Sequence, residues 1–131
     1  MSALEEAKQS LNLTPEETAL YQHHLKNLTG NGKVMNADGS VSTVYSITTT
    51  INGKAYTLPT VWNGKILEPD EAIRKAEKIG LDKFPSYATP DEAMARYQDM
   101  HTFMEQDTSQ YLSQQKASPS FKSITGATPT R

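Results

Sequence analysis

Three four-residue phrases punctuate the chain: Thr14-Pro15-Glu16-Glu17, Glu68-Pro69-Asp70-Glu71 and Thr89-Pro90-Asp91-Glu92. Each has the chemistry of a helix start. A Thr hydroxyl at the N-cap accepts a bond from one of the first turn's orphan N–H groups. Proline fits the first helical position, where an N–H would go unpaired anyway. The carboxylates that follow sit against the positive end of the helix dipole, and Thr-x-x-Glu is the spacing of a capping box. Pro-Asp-Glu-Ala occurs at both 69 and 90, but the residues beyond diverge. Shared helix-start grammar explains it better than an internal repeat.

The 131 residues leave room for one modest domain plus tails. A net charge of −2 argues against a general polyanion binder. There is no cysteine, which excludes disulfides and thiolate zinc sites. Met1 to Glu6 lack the basic and apolar regions of a signal peptide, so synthesis in a cytoplasm is expected. No apolar run approaches the ~20 residues of a membrane span.

The marks divide the chain into an N-terminal arm (1–13), a single domain (14–115) and a tail (116–131). Ala3 to Leu11 forms a short, weakly capped helix in the arm. The next helix follows Thr14, carries Leu20, Tyr21, Leu25 and Leu28 on one stripe, and stops at Thr29-Gly30. A β region rich in Thr, Val and Ile reaches Asn52-Gly53, the strongest short hairpin signal, and Asn63-Gly64 repeats it. Two-residue turns pair Ile51 with Lys54, Thr49 with Tyr56, Ile47 with Leu58 and Thr43 with Trp62. The second turn pairs Trp62 with Lys65 and Thr60 with Leu67. One face then carries Tyr45, Ile47, Ile51, Tyr56, Leu58, Trp62 and Leu67, and needs helices against it. Pro59 falls in the middle strand, where its missing N–H predicts a bulge or one-sided pairing. Pro69 to Ile79 is a short helix closed by Gly80. The long last helix starts at Thr89 with Ala93, Tyr97, Met100, Met104 and Tyr111 on one stripe and Phe103 alongside. The Ser-, Thr- and Pro-rich tail should be flexible. The expected fold is α+β: a small three-stranded antiparallel meander packed against helices, with a long C-terminal helix and a flexible tail.

Catalytic, cofactor-binding and metal-binding residues are not expected. His23 and His24 lie about 100° apart on a helix and cannot share a metal as i,i+4 residues do. His24 falls near the apolar stripe and His23 toward the surface. His101 and Glu105 are i,i+4, but no third ligand accompanies them. The first-turn carboxylates are explained by capping. No Gly-x-Ser-x-Gly surrounds any serine, and Gly30-Asn31-Gly32 lacks the strand and helix of a phosphate loop. Lys54, Lys65, Arg74, Lys75 and Lys78 are nearly cancelled by Glu68, Asp70, Glu71, Glu77 and Asp82, so nucleic acid would bind weakly at best. Tyr45, Tyr56 and Trp62 read as core aromatics rather than a ligand platform. Met104, Tyr111 and Leu112 extend further than so small a sheet covers, and Phe121 and Ile124 are the tail's apolar anchors. These five are the expected partner-binding residues.

Asp38-Gly39-Ser40-Val41-Ser42-Thr43-Val44, Leu58-Pro59-Thr60-Val61-Trp62-Asn63-Gly64-Lys65-Ile66-Leu67 and Asp70-Glu71-Ala72 form a set. It resembles a small domain that recurs in virion-associated proteins of tailed bacteriophages and prophages. Gly80, Phe84, Thr89, Glu92-Ala93 and His101 continue the similarity, which spans about residues 38–101. The resemblance implies a non-enzymatic structural or interaction component of the particle, in its neck, tail or interior. Its partners would be other virion proteins or further copies of itself. The alternatives are a small nucleic-acid-associated phage protein and an accessory to a peptidoglycan-degrading enzyme, although no lytic domain is evident here. If the tail is a connector, deleting residues 116–131 leaves the melting temperature nearly unchanged and lowers incorporation into particles. Normal incorporation of the truncated protein would remove that role from the tail.

Overall fold

All three proline phrases open helices in the computed structural model, which describes residues 3–117. The helices are α1 (Ala3–Leu11), α2 (Pro15–Thr29), α3 (Pro69–Ile79) and α4 (Pro90–Ala117). At α2 the capping box is closed: the Glu17 N–H donates to Thr14 Oγ1 at 3.1 Å, and the Thr14 N–H donates to Glu17 Oε1 at 3.0 Å. At α3 the Glu68 N–H donates to Glu71 Oε1 at 3.2 Å. At α4 Thr89 Oγ1 accepts from the Glu92 N–H, while Glu92 Oε1 accepts from the Ala88 N–H. Residues 116 and 117 of the expected tail belong to α4, and the rest of it, with Phe121 and Ile124, lies outside the described residues.

The strands are short. β1 (Val34–Met35) pairs antiparallel with β2 (Val41–Ser42), and β3 (Ile47–Ile51) with β4 (Lys54–Leu58). The β3–β4 register is the expected one, Ile51 opposite Lys54 through Ile47 opposite Leu58. Asn52 and Gly53 both take positive φ, 52° and 80°, as a type I′ turn demands. β5 (Val61–Trp62) and β6 (Lys65–Ile66) form the second predicted hairpin, with Trp62 opposite Lys65.

The sheet is not the expected meander. Its third strand is β7 (Ser86–Tyr87), which pairs with β4, while β5 and β6 form a separate two-stranded sheet. Pro59 is the reason. Without its N–H the β4 ladder stops at Leu58, and the chain turns away. The Thr60 and Val61 N–H groups both donate to the Val44 carbonyl, at 2.9 and 3.3 Å. Thr43 therefore does not pair with Trp62, although the Leu67 N–H still reaches the Thr60 carbonyl at 2.8 Å.

Two apolar clusters result. Ala3, Ala7, Leu20, Tyr21, Val44, Met100 and Met104 join the N-terminal helices to α4. The expected arm is thus packed helix over Ala3–Leu11, with Ala7 fully buried. Tyr56, Leu58, Ala76 and Phe84 form the second cluster under the sheet, with Ile47, Ile51, Trp62 and Ile73 packed around it. Tyr45 departs from the expected apolar face. Its φ of 42° breaks the strand alternation, so Val44 enters the first cluster and the tyrosine is 61% exposed.

One polar network locks these pieces together. The Glu17 side chain is 1% exposed, and Arg96 grips it in bidentate fashion: Nε to Oε2 at 2.8 Å and Nη2 to Oε1 at 3.0 Å. The Tyr87 hydroxyl donates to Oε2 at 2.6 Å, and the Thr14 N–H occupies Oε1. Both oxygens are therefore doubly engaged, which is all a carboxylate can accept. Arg96 Nη2 also donates to the carbonyls of Leu11 and Asn12, closing the end of α1. Burial pushes the Glu17 carboxyl up, but its bonds from Arg96, Tyr87 and Thr14 and the Arg96 charge outweigh that and hold it below the ordinary range. Arg96→Met leaves this carboxylate buried without its counter-charge and should cost about 3–5 kcal/mol in urea denaturation. A loss under about 1 kcal/mol would reduce the pair to the standing of a surface ion pair.

Candidate functional site

A cleft of about 490 Å³ opens between residues 40–46 and the outer face of α4. Local bonds set the first wall. The Ser40 N–H and hydroxyl donate to Asp38 Oδ1 at 2.9 and 2.6 Å, and Asn36 Nδ2 donates to the Ser40 and Ser42 hydroxyls. The bonds from Ser40 hold the exposed Asp38 carboxyl below its usual range. Further along, Thr60 clamps the chain where φ turns positive: its hydroxyl donates to the Tyr45 carbonyl at 2.6 Å. The opposite wall runs from Tyr97 to Leu112, with His101, Glu105 and Ser109 between them.

His24 of α2 lies at the floor, fully buried. Its Nδ1 is 2.6 Å from Thr43 Oγ1, a hydroxyl able to donate or accept, while Nε2 has no hydrogen-bond partner. Burial pushes the imidazole down to about 4, helped by the charges of His101 and His23. His101 is half-buried, its ring tilted against Tyr97 and its Nδ1 3.8 Å from Glu105 Oε1. Ser40 to Val44 and His101 thus line one cleft.

A second surface lies on the other side of α2. The His23 ring packs edge-on to Trp62 with centroids 4.6 Å apart, and the Lys75 ammonium sits 4.7 Å from the Trp62 ring centre. His23 Nε2 lies 2.9 Å from the Val61 carbonyl oxygen, so this histidine is engaged rather than simply at the surface. Burial lowers its pKa. Trp62 Nε1 donates to the Pro59 carbonyl at 3.1 Å. Lys26 and Asn27 flank the same hollow, which adjoins the Gly30-Asn31-Gly32 connector. A Cβ on Gly32 would lie 2.2 Å from Asn27 Oδ1, so the connector's second glycine is there for space.

Of the expected partner-binding residues, Met104 is only 2% exposed and packs in the first cluster. Tyr111 is half-buried beneath the Lys33 ammonium, 5.6 Å from its ring centre, and Leu112 borders the cleft. Met100, Phe103 and Met104 of α4 pack with α1 and α2 of the same chain. Among the described residues no group of three or more His, Asp or Glu side chains is placed to hold a metal ion. No described helix is long and apolar enough to cross a membrane. Arg96 escaped sequence reasoning altogether, because a lone Arg on a helix carries no signal of a partner 79 positions earlier. The buried place of His24 was partly legible from its neighbouring apolar stripe.

No family model matches the chain, and neither does any curated protein or solved structure. His24 gives the molecule an acid-sensitive point. An imidazole that titrates at 6.5 when unfolded and about 4 when folded makes the unfolded chain take the proton first as pH falls. Its contribution is complete above 6.5 and is lost on the way down to about 4. The loss is on the order of 3 kcal/mol, at about 1.4 kcal/mol per pH unit. Urea denaturation at about pH 7 and about pH 4.5 should show this decline, and His24→Phe should flatten it. An equal decline in the variant would assign the acid sensitivity elsewhere.

Proposed function

We propose that this chain is a non-enzymatic interaction component of a tailed-bacteriophage particle, acting through contacts with other virion proteins. The observation that carries the non-enzymatic part is the state of Glu17. The one carboxylate taken fully out of solvent among the described residues has each oxygen doubly occupied by Thr14, Tyr87 and Arg96. It is held ionised and saturated, the opposite of a poised general acid or base. His101 and Glu105 stand 3.8 Å apart with Glu105 exposed, and the Thr43 hydroxyl that contacts an imidazole at the cleft, that of His24, is buried with it rather than presented to a substrate. The particle itself rests on the resemblance of residues 38–101, of which Ser40 to Val44 and His101 line the cleft.

Nucleic-acid association is the second reading, and one observation favours it. The hollow around Trp62 gathers Lys26, Lys75 and His23, with no carboxylate among the described residues that line it. Cations beside an aromatic ring are the means by which single strands are held. Mass spectrometry of purified particles tests the first reading: the chain should be recovered at a reproducible copy number. Recovery from infected-cell lysate alone would reject it. An anisotropy titration with labelled DNA should give weak, strongly salt-dependent binding. Submicromolar affinity near physiological salt would put the second reading first.

A further inference from the structure

We propose that the cleft between residues 40–46 and α4 is a binding site for a neutral saccharide, with Tyr45 as its stacking platform. This goes beyond the particle reading and does not depend on it. Tyr45 carries the first observation. A bulky residue at φ 42° is strained, and such strain persists only where surrounding bonds over-determine it. Here Thr60 supplies them, through its hydroxyl to the Tyr45 carbonyl and its N–H to the Val44 carbonyl. The strained geometry leaves an aromatic ring 61% exposed at the rim of a cleft rather than folded into the core.

The walls carry the second. Ser42, Ser46, Thr108 and Ser109 line the opening. Asn36 donates to the Ser42 hydroxyl and Thr108 donates to the Met104 carbonyl, which leaves the Ser42 proton and the Thr108 lone pairs for a ligand. Among the described residues no lysine or arginine lines the cleft, and Glu105 is its one carboxylate, with His101 beside it. That lining disfavours phosphates and acidic chains. It suits a ligand with hydroxyls at its edges and an apolar C–H face, the chemistry of a sugar ring against an aromatic. The floor carries the third. His24 Nε2 is buried without a partner, and a ligand hydroxyl, or a water held beneath one, supplies it. The volume of about 490 Å³ lies within the roughly 300–1,000 Å³ range of small-molecule sites.

The test is a titration of the ¹⁵N-labelled chain with neutral tetrasaccharides followed by amide shifts. The probes are an N-acetylglucosamine β-1,4 tetramer, cellotetraose and maltotetraose, with inorganic phosphate as the anionic control. At least one tetrasaccharide should move amides of residues 40–46 and 97–112 in a saturable way, and phosphate should not. Tyr45→Asn, whose side chain tolerates positive φ, should keep the melting temperature and weaken binding roughly tenfold or more. Tyr45→Phe should retain binding, since the ring rather than the hydroxyl is the platform. The proposal is overturned if no probe shifts these amides at about 10 mM, a concentration that reveals even millimolar affinity. It is equally overturned if phosphate alone binds, if the shifts gather around Trp62 instead, or if Tyr45→Asn binds as the parent does.

Discussion

A buried carboxylate is tolerable only when its charge is answered, and the whole arrangement hangs on how Glu17 is answered. The residue begins as a helix cap, returning a bond to the Thr14 N–H. Because α2 starts where α1 ends, that same side chain faces Arg96 on α4 and Tyr87 on β7. Arg96 Nη2 also donates to the carbonyls of Leu11 and Asn12 at the end of α1. The start of α2, β7 and α4 meet on two oxygen atoms, and Arg96 ties the end of α1 to them. A guanidinium suits this task, since its planar fork reaches a carboxylate and backbone carbonyls at once, as a lysine cannot. Apolar burial supplies the driving force on either side, and the network decides which face of each element turns inward.

Much of this was readable in advance, for a physical reason. Helix starts are local: the side chains of Thr14, Glu71, Thr89 and Glu92 accept from N–H groups within four residues. Type I′ turns at Asn52-Gly53 and Asn63-Gly64 are equally local, so the hairpin registers follow from the turn residues alone. What escaped was non-local. Pro59 forecast trouble in the middle strand, but nothing near it says that Ser86–Tyr87 completes the sheet. Tyr45 continues the alternation of its neighbours on paper, and only the two bonds from Thr60 show why it leaves the apolar face.

The cleft was harder still. Its walls come from residues 40–46 and 97–112 and its floor from α2, so no window of sequence contains it. His24 looks like any polar residue beside an apolar stripe until its Nε2 is seen to lack a partner. The hollow at Trp62 follows the same pattern. Lys75 lies on a helix crowded with opposite charge, yet its ammonium rests on an indole face that the acidic residues do not share. Charge totals along a chain say little about the sign of a particular concavity.

The division of the apolar core into two clusters has a consequence for how the chain reaches its structure. The cluster beneath the sheet gathers residues 47 to 84, with the tight β3–β4 hairpin at its centre. The other joins Ala3 and Ala7 to Met100 and Met104, nearly a hundred positions away. Loop closure of that span is entropically slower than closing a two-residue turn. The middle of the chain is therefore the natural nucleus, and the union of α1 with α4 is a late, long-range closure. The seam between α1 and α4 is therefore the part of the core that tension between those two helices bears on directly, and the β3–β4 hairpin lies outside it.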